Sequence, residues 1–127
     1  MPPAQRLTWL RTVSRILLVL TLVGIAVLSL SPSVPSGPEG GDKIGHVLAY
    51  FVLACLMVLS VRRATTRMGR LAGLVAAAIA YGLVMESLQL LVGRQFDLMD
   101  MAANTVGALS GAAVGAVVRR KAGAGPS

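Results

Sequence analysis

Four long apolar stretches follow one another along the chain, and each is ended by a short polar or glycine- and proline-containing segment. They run from Ile16 to Leu30, from Ile44 to Val61, from Leu71 to Val92 and from Leu98 to Val118. The last three are close to the ~20 residues that a helix needs to cross ~30 Å of hydrocarbon. Apolar stretches of this length favour helices, because membrane-spanning strands are shorter and alternate in polarity. The pattern predicts an all-α fold, an integral membrane four-helix bundle.

The first stretch is open to two interpretations. Arg6, Arg11 and Arg15 precede it, and a segment rich in proline, glycine and serine follows it at 32–41. A basic flank before a short apolar core is also typical of a signal peptide. We favour a retained helix, because no small-x-small cleavage site stands out and because Arg15 can extend its side chain toward the membrane interface.

The charges support a membrane protein and predict its orientation. Only 13% of the 127 residues are charged and 55% are hydrophobic, at a net charge of +7. The cations stand at the ends of apolar stretches, which argues against nucleic-acid binding. Ten of the twelve lysines and arginines flank one side, and only Lys43 and Arg94 fall on the other. This distribution predicts a multi-pass membrane protein with short outer loops and both termini in the cytoplasm.

This division of the chain predicts a simple domain organisation. We expect a basic cytoplasmic N-terminus at 1–15, a transmembrane domain at 16–118 and a basic cytoplasmic tail at 119–127.

Polar residues concentrate at the outer ends of helices two and three. Asp42, His46 and Tyr50 are four residues apart, so they share one helix face, and Lys43 lies beside them. The same residues also fit a purely structural interpretation, in which Asp42 caps the helix and Lys43 and His46 lie at the membrane interface. Glu86 and Gln89 share a face of helix three, where a carboxyl is costly unless it is paired, protonated or next to water.

Helix four continues the pattern. Arg94 and Asp97 precede it, and Asp100 and Asn104 fall on one face of it. The same stripe continues as Gly107, Gly111 and Gly115, a seam that lets another helix approach closely. We expect the glycines to pack the bundle, or alternatively a homo-oligomer, beneath an outward-facing polar pocket.

These residues, taken in order, resemble the VanZ-like family of small bacterial membrane proteins. The pattern is Asp42-Lys43-x-x-His46, then Glu86-x-x-Gln89, Arg94 and Asp100-x-x-x-Asn104-x-x-Gly107. Asp97 stands where a small hydroxyl residue is more usual in this family. The resemblance implies a protein of the bacterial cytoplasmic membrane, in a family whose namesake is linked to resistance to the glycopeptide antibiotic teicoplanin.

Three functions remain open from the sequence. In the first, the pocket binds an amphiphilic or lipid-linked envelope molecule or an anionic lipid. Its predicted ligand-binding residues are Asp42, Lys43, His46, Glu86, Gln89, Arg94, Asp97, Asp100 and Asn104. In this hypothesis Lys43 and Arg94 hold a phosphate or carboxylate.

The second function is a membrane-embedded hydrolase or transferase with His46, Glu86 and Asp100 as candidate catalytic residues. We assign no cofactor and no metal site, although in an enzyme a hard ion such as Mg²⁺ would suit Asp97, Asp100 and Glu86. The third function is a purely structural membrane module.

Overall fold

The computed structural model describes residues 1–32, 41–61 and 67–124. In them the chain forms α1 (Pro3–Leu30), α2 (Gly41–Ser60), α3 (Met68–Gln89) and α4 (Leu98–Gly123). A 3₁₀ turn, Leu90–Val92, continues α3 and ends at Gly93, whose φ of 77° suits a residue without a Cβ. The described ranges contain no strand, and all four helices are long and apolar enough to cross a membrane. The predicted all-α fold is confirmed.

The helices extend beyond the apolar stretches that predict them. α1 begins at Pro3 rather than at Ile16, and α4 continues to Gly123 rather than ending at Val118. Arginine and lysine are good helix formers, and proline fits the first turn of a helix, so helical structure continues where apolarity stops. The 28 residues of α1 span about 42 Å at 1.5 Å per residue, longer than the hydrocarbon core. The expected basic N-terminal segment is therefore largely part of this helix.

The closest packing in the bundle joins α2 and α4, which run parallel. A Cβ added to Gly107 would lie 2.3 Å from the Val47 carbonyl oxygen, and one added to Gly111 would lie 2.1 Å from that of Phe51. The third glycine, Gly115, approaches the backbone of α2 in the same way, one turn further along. The glycine seam is thus filled by α2 of the same chain, and it sets the spacing of these two helices.

Apolar side chains are divided between a small core and an extensive outer surface. Leu53, Ala54 and Val58 of α2 are fully buried, together with Ala78 of α3 and Ala108 of α4. Large aliphatic side chains on the outward faces remain exposed, among them Val19, Leu20, Val23, Val27, Leu83, Val84, Val106 and Leu109. Exposed apolar side chains along all four helices fit a bundle whose solvent is lipid.

Arginines bind the carbonyl groups at the C-terminal end of α2. The Arg15 Nε donates to the Ser60 carbonyl oxygen at 3.2 Å, and the Arg119 Nη1 donates to that of Val58 at 2.9 Å. The last carbonyls of a helix lack partners within the helix, so these bonds from α1 and α4 satisfy them. We call this end of the bundle the arginine end and the opposite end, where α2 and α4 begin, the polar end.

Candidate functional site

A cluster of polar side chains from α2, α3 and α4 occupies the polar end of the bundle. We call it the polar cluster, and its members are Asp42, Lys43, His46, Glu86, Asp97, Asp100 and Asn104. It contains all four acidic side chains in the part of the chain that the structure describes. Asp42 and Asp100 lie in the first turns of α2 and α4, where the helix dipole favours a negative charge.

Lys43 connects α2 to the start of α4. Its ammonium lies 2.5 Å from Asp97 Oδ2 and 2.6 Å from Asp100 Oδ1. Asp97 is also the N-cap of α4, and its Oδ1 accepts a hydrogen bond from the Met99 amide at 2.7 Å. Asp97 precedes α4, and the Lys43 ammonium and then the Met99 amide hold its pKa below the ordinary value of 3.8. The lysine is therefore already engaged by two carboxylates.

His46 is positioned by α4. Its Nδ1 lies 2.9 Å from Oδ1 of Asn104, which is only 1% exposed. Its Nε2 lies 3.3 Å from Asp100 Oδ2 and 3.9 Å from Asp42 Oδ1. An amide oxygen can only accept, so the Nδ1 proton donates this bond, and Nε2 faces the two carboxylates.

Glu86 brings α3 into the cluster. Its side chain is almost completely buried, with the residue 1% exposed, and its Oε2 accepts a hydrogen bond from the Asp97 backbone amide at 3.2 Å. One turn earlier in α3, Gly82 makes close contact with α2 and α4 possible. A Cβ there would lie 2.9 Å from Asn104 Nδ2 and 3.2 Å from the Tyr50 hydroxyl oxygen.

Arg94 and Gln89 were both predicted to bind ligand, and the side-chain contacts of Arg94 are with α1. The Arg94 Nη1 is 3.2 Å from the Ser29 carbonyl oxygen and 3.4 Å from that of Leu28, at the C-terminal end of α1. Its side chain thus extends to α1 rather than to Lys43. Gln89 is buried at the end of α3, where its backbone carbonyl oxygen accepts a hydrogen bond from the Arg94 backbone amide at 2.9 Å.

Three donor groups in the cluster could hold a metal ion. They are Asp42, His46 and Asp100, each with one ligand atom, and these atoms all lie within 4.8 Å of one another. This set differs from the one considered for a hard ion from the sequence. Asp97 is bonded to Lys43, and Glu86 is bonded to a backbone amide.

Two contributors to the site are not visible in side-chain patterns. One is the backbone amide of Asp97, because every residue but proline carries such a donor and only the fold selects this one. The other is the pairing of Lys43 with both Asp97 and Asp100, which are 54 and 57 residues away in the sequence. The i, i+4 spacing of Asp42 and His46 was a usable signal, whereas these long-range contacts had none.

Comparison with protein families gives one result that covers most of the chain. The family model described as VanZ/LLP1 matches residues 4–119. Comparisons with curated proteins and with solved structures give no significant match.

Proposed function

Because the chain belongs to the VanZ/LLP1 family and is a multi-pass helical membrane protein, we propose that its polar cluster binds the headgroup of an amphiphilic, lipid-linked molecule of the bacterial envelope. In this proposal the polar end faces the outside of the cytoplasmic membrane. That orientation is supported by the basic residues of the arginine end, which suit the cytoplasmic side.

The burial of the cluster is the observation that carries the proposal. Glu86 and Asn104 are each 1% exposed and Asp100 is 6% exposed, at the end of a bundle that otherwise buries mainly Leu, Val and Ala. Polar contacts between membrane helices contribute only about 0.6 kcal/mol on average. Such a small gain is a poor reason to bury several ionisable groups together, whereas recognition of a polar ligand is a common one.

An amphiphile suits the surroundings of the cluster. Large apolar side chains flank the polar residues and are exposed, namely Ile44 beside Lys43, and Leu98 and Met99 beside Asp97. A headgroup in the cluster would therefore leave its chain against a lipid-facing apolar surface. A soluble ligand would gain nothing from this arrangement.

The charge balance indicates which headgroups fit. Four carboxylates face one ammonium in the cluster, and the guanidinium of Arg94 bonds to α1. Carboxylates and the Asn104 amide accept hydrogen bonds from hydroxyl and amino groups. We therefore propose a sugar- or amine-bearing headgroup, and not a bare phosphate held by Lys43 and Arg94.

An effect on glycopeptide susceptibility would follow from this binding. A protein that retains or masks an envelope precursor changes how much of it the antibiotic can reach. Cells expressing the wild type should then need more teicoplanin for growth inhibition than cells expressing Glu86→Gln at equal protein levels.

Native mass spectrometry of the detergent-purified protein tests the binding. We expect an adduct of amphiphile mass on the wild type, its loss from Glu86→Gln and Asp100→Asn, and its retention by Ser87→Ala, a control on the exposed face of α3. Size-exclusion profiles and melting curves establish whether the variants are folded. Folded variants that keep the adduct, or variants that lose it only by unfolding, would contradict the proposal and favour a structural role.

Catalysis is a second candidate, favoured by the contact between His46 Nε2 and Asp100 Oδ2 at 3.3 Å. In a hydrolase or transferase, Asp100→Glu should abolish turnover as completely as Asp100→Ala. In a binding protein, the glutamate variant should retain part of the adduct.

A further inference from the structure

We propose that Asp42, His46 and Asp100 form a binding site for a divalent transition-metal ion, with Zn²⁺ or Mn²⁺ as the ion. One imidazole and two carboxylates suit these ions, and three protein ligands leave coordination positions open. The role of the ion rests on the proposed headgroup binding, whereas the binding of the ion itself is tested with the metal alone.

The spacing of the donor atoms fits a common metal centre. His46 Nε2 lies 3.3 Å from Asp100 Oδ2 and 3.9 Å from Asp42 Oδ1. Ligand atoms that each lie ~2.0–2.2 Å from an ion are roughly 3–3.5 Å apart in tetrahedral geometry. Small side-chain movements, chiefly of Asp42, are enough to bring all three atoms onto one ion.

The orientation of His46 points to a cation at this position. Asn104 Oδ1 accepts from Nδ1, so Nε2 is directed at one oxygen of Asp42 and one of Asp100. Metal ligation requires a deprotonated nitrogen, and in that form Nε2 and the two carboxylate oxygens are all available to one divalent ion. A buried oxygen that fixes the second ring nitrogen is the usual partner of a metal-ligating histidine.

Lys43 completes the arrangement without competing for the site. Its ammonium bonds to Oδ1 of Asp100, which leaves Oδ2 for the ion. It also fixes the direction of that carboxylate. Two carboxylates then balance the two charges of the ion.

The open side of the site lies toward Asp42. The side chain of Asp42 is 45% exposed, that of His46 15% and that of Asp100 9%. An ion here has its free coordination positions on the exposed side. We infer that a hydroxyl oxygen of the headgroup occupies one of them, which makes the ion part of the ligand's binding site.

Metal titration of the full-length protein tests the proposal. The protein carries an affinity tag without histidine, is stripped with a chelator, and is titrated with Zn²⁺ and Mn²⁺ by calorimetry. We expect about one ion per chain, at least about tenfold weaker binding by His46→Gln and Asp42→Asn, and unchanged binding by Ser87→Ala. Asp42 is exposed, so its variant should fold normally.

Two results would overturn the inference. One is equal binding by the wild type and both variants, and the other is ¹⁵N NMR of His46 showing protons on both ring nitrogens in the presence of the ion. Repeating the mass spectrometry with and without metal separates the two proposals. An ion bound without an amphiphile contradicts only the headgroup proposal, and an amphiphile retained by a protein that binds no ion contradicts only the metal site.

Discussion

The backbone amide of Asp97 donates a hydrogen bond to the Glu86 carboxylate, 3.2 Å away. This bond joins the end of α3 to the start of α4, and the glutamate that accepts it is buried. Replacing Glu86 by leucine removes the acceptor and should lower the free energy of unfolding by about 1–3 kcal/mol. Unfolding in mixed detergent micelles measures the change.

Glutamine at position 86 is the matched control, because it keeps an acceptor oxygen of similar reach. Glu86→Gln should retain most of the stability that Glu86→Leu loses. If both variants are as stable as the wild type, this hydrogen bond does not hold the two helices together.

The glycine seam should tolerate no added methyl group at its centre. An alanine Cβ at Gly111 would lie 2.1 Å from the Phe51 carbonyl oxygen, so α2 and α4 would have to separate. Overpacking of this kind costs about 1–3 kcal/mol. Gly73→Ala is the control, because a Cβ added there would have no atom within 4 Å. This variant should match or exceed the wild type in thermal stability.

The ion pair between Lys43 and Asp97 should make stability depend on pH. The pKa of Asp97 is lowered in the folded protein from 3.8, so its contribution is complete above that value and disappears as the pH falls through the folded-state pKa. The difference in melting temperature between the wild type and Asp97→Asn should be full at pH 6 and should shrink progressively as the pH falls below about 4. A constant difference across this range would contradict the ion pair.

Arg94 should contribute to stability and not to ligand binding. Its guanidinium bonds to the Leu28 and Ser29 carbonyl oxygens, so Arg94→Ala should lower stability by about 1 kcal/mol. The same variant should keep its amphiphile adduct in native mass spectrometry. Loss of the adduct from folded Arg94→Ala would return this residue to the ligand site.

The orientation of the bundle can be measured at Gln95, an exposed residue between α3 and α4. In a Cys55→Ala background, Gln95→Cys should react with a membrane-impermeant thiol reagent in intact cells. Reaction only after lysis would put the polar end in the cytoplasm. Ala124→Cys, near the arginine end, should react with the reagent only after lysis.

The sequence predicted the helices better than it predicted their contacts. The lengths of the apolar stretches identified four helices, because the bilayer imposes that length. They could not locate Pro3 as the start of α1, because the first turns of this helix contain polar residues. The stripe of Gly107, Gly111 and Gly115 indicated close packing. Its partner could not be predicted, because a seam of small residues serves a neighbouring helix and a second chain equally well.

The polar cluster was predictable as a group, since its members stand at the same end of their helices. Its internal connections were not. A lysine can reach any carboxylate within several ångströms, and only the fold selects Asp97 and Asp100 for Lys43. Likewise, the long side chain of Arg94 could extend toward the cluster or toward α1, and the sequence holds no signal for the direction that it takes.

The glycine seam also fixes how α2 and α4 are aligned along their axes at the polar end. His46 and Asn104 meet at 2.9 Å because Val47 and Gly107, only a few positions along, hold α2 and α4 backbone to backbone. Sliding one helix by a single turn, ~5.4 Å, would separate the two side chains completely. The alignment of α2 and α4 is thus set by residues that carry no functional groups. Small-to-large substitutions in the glycine seam should therefore displace the polar side chains relative to one another, although none of the cluster's own residues is changed.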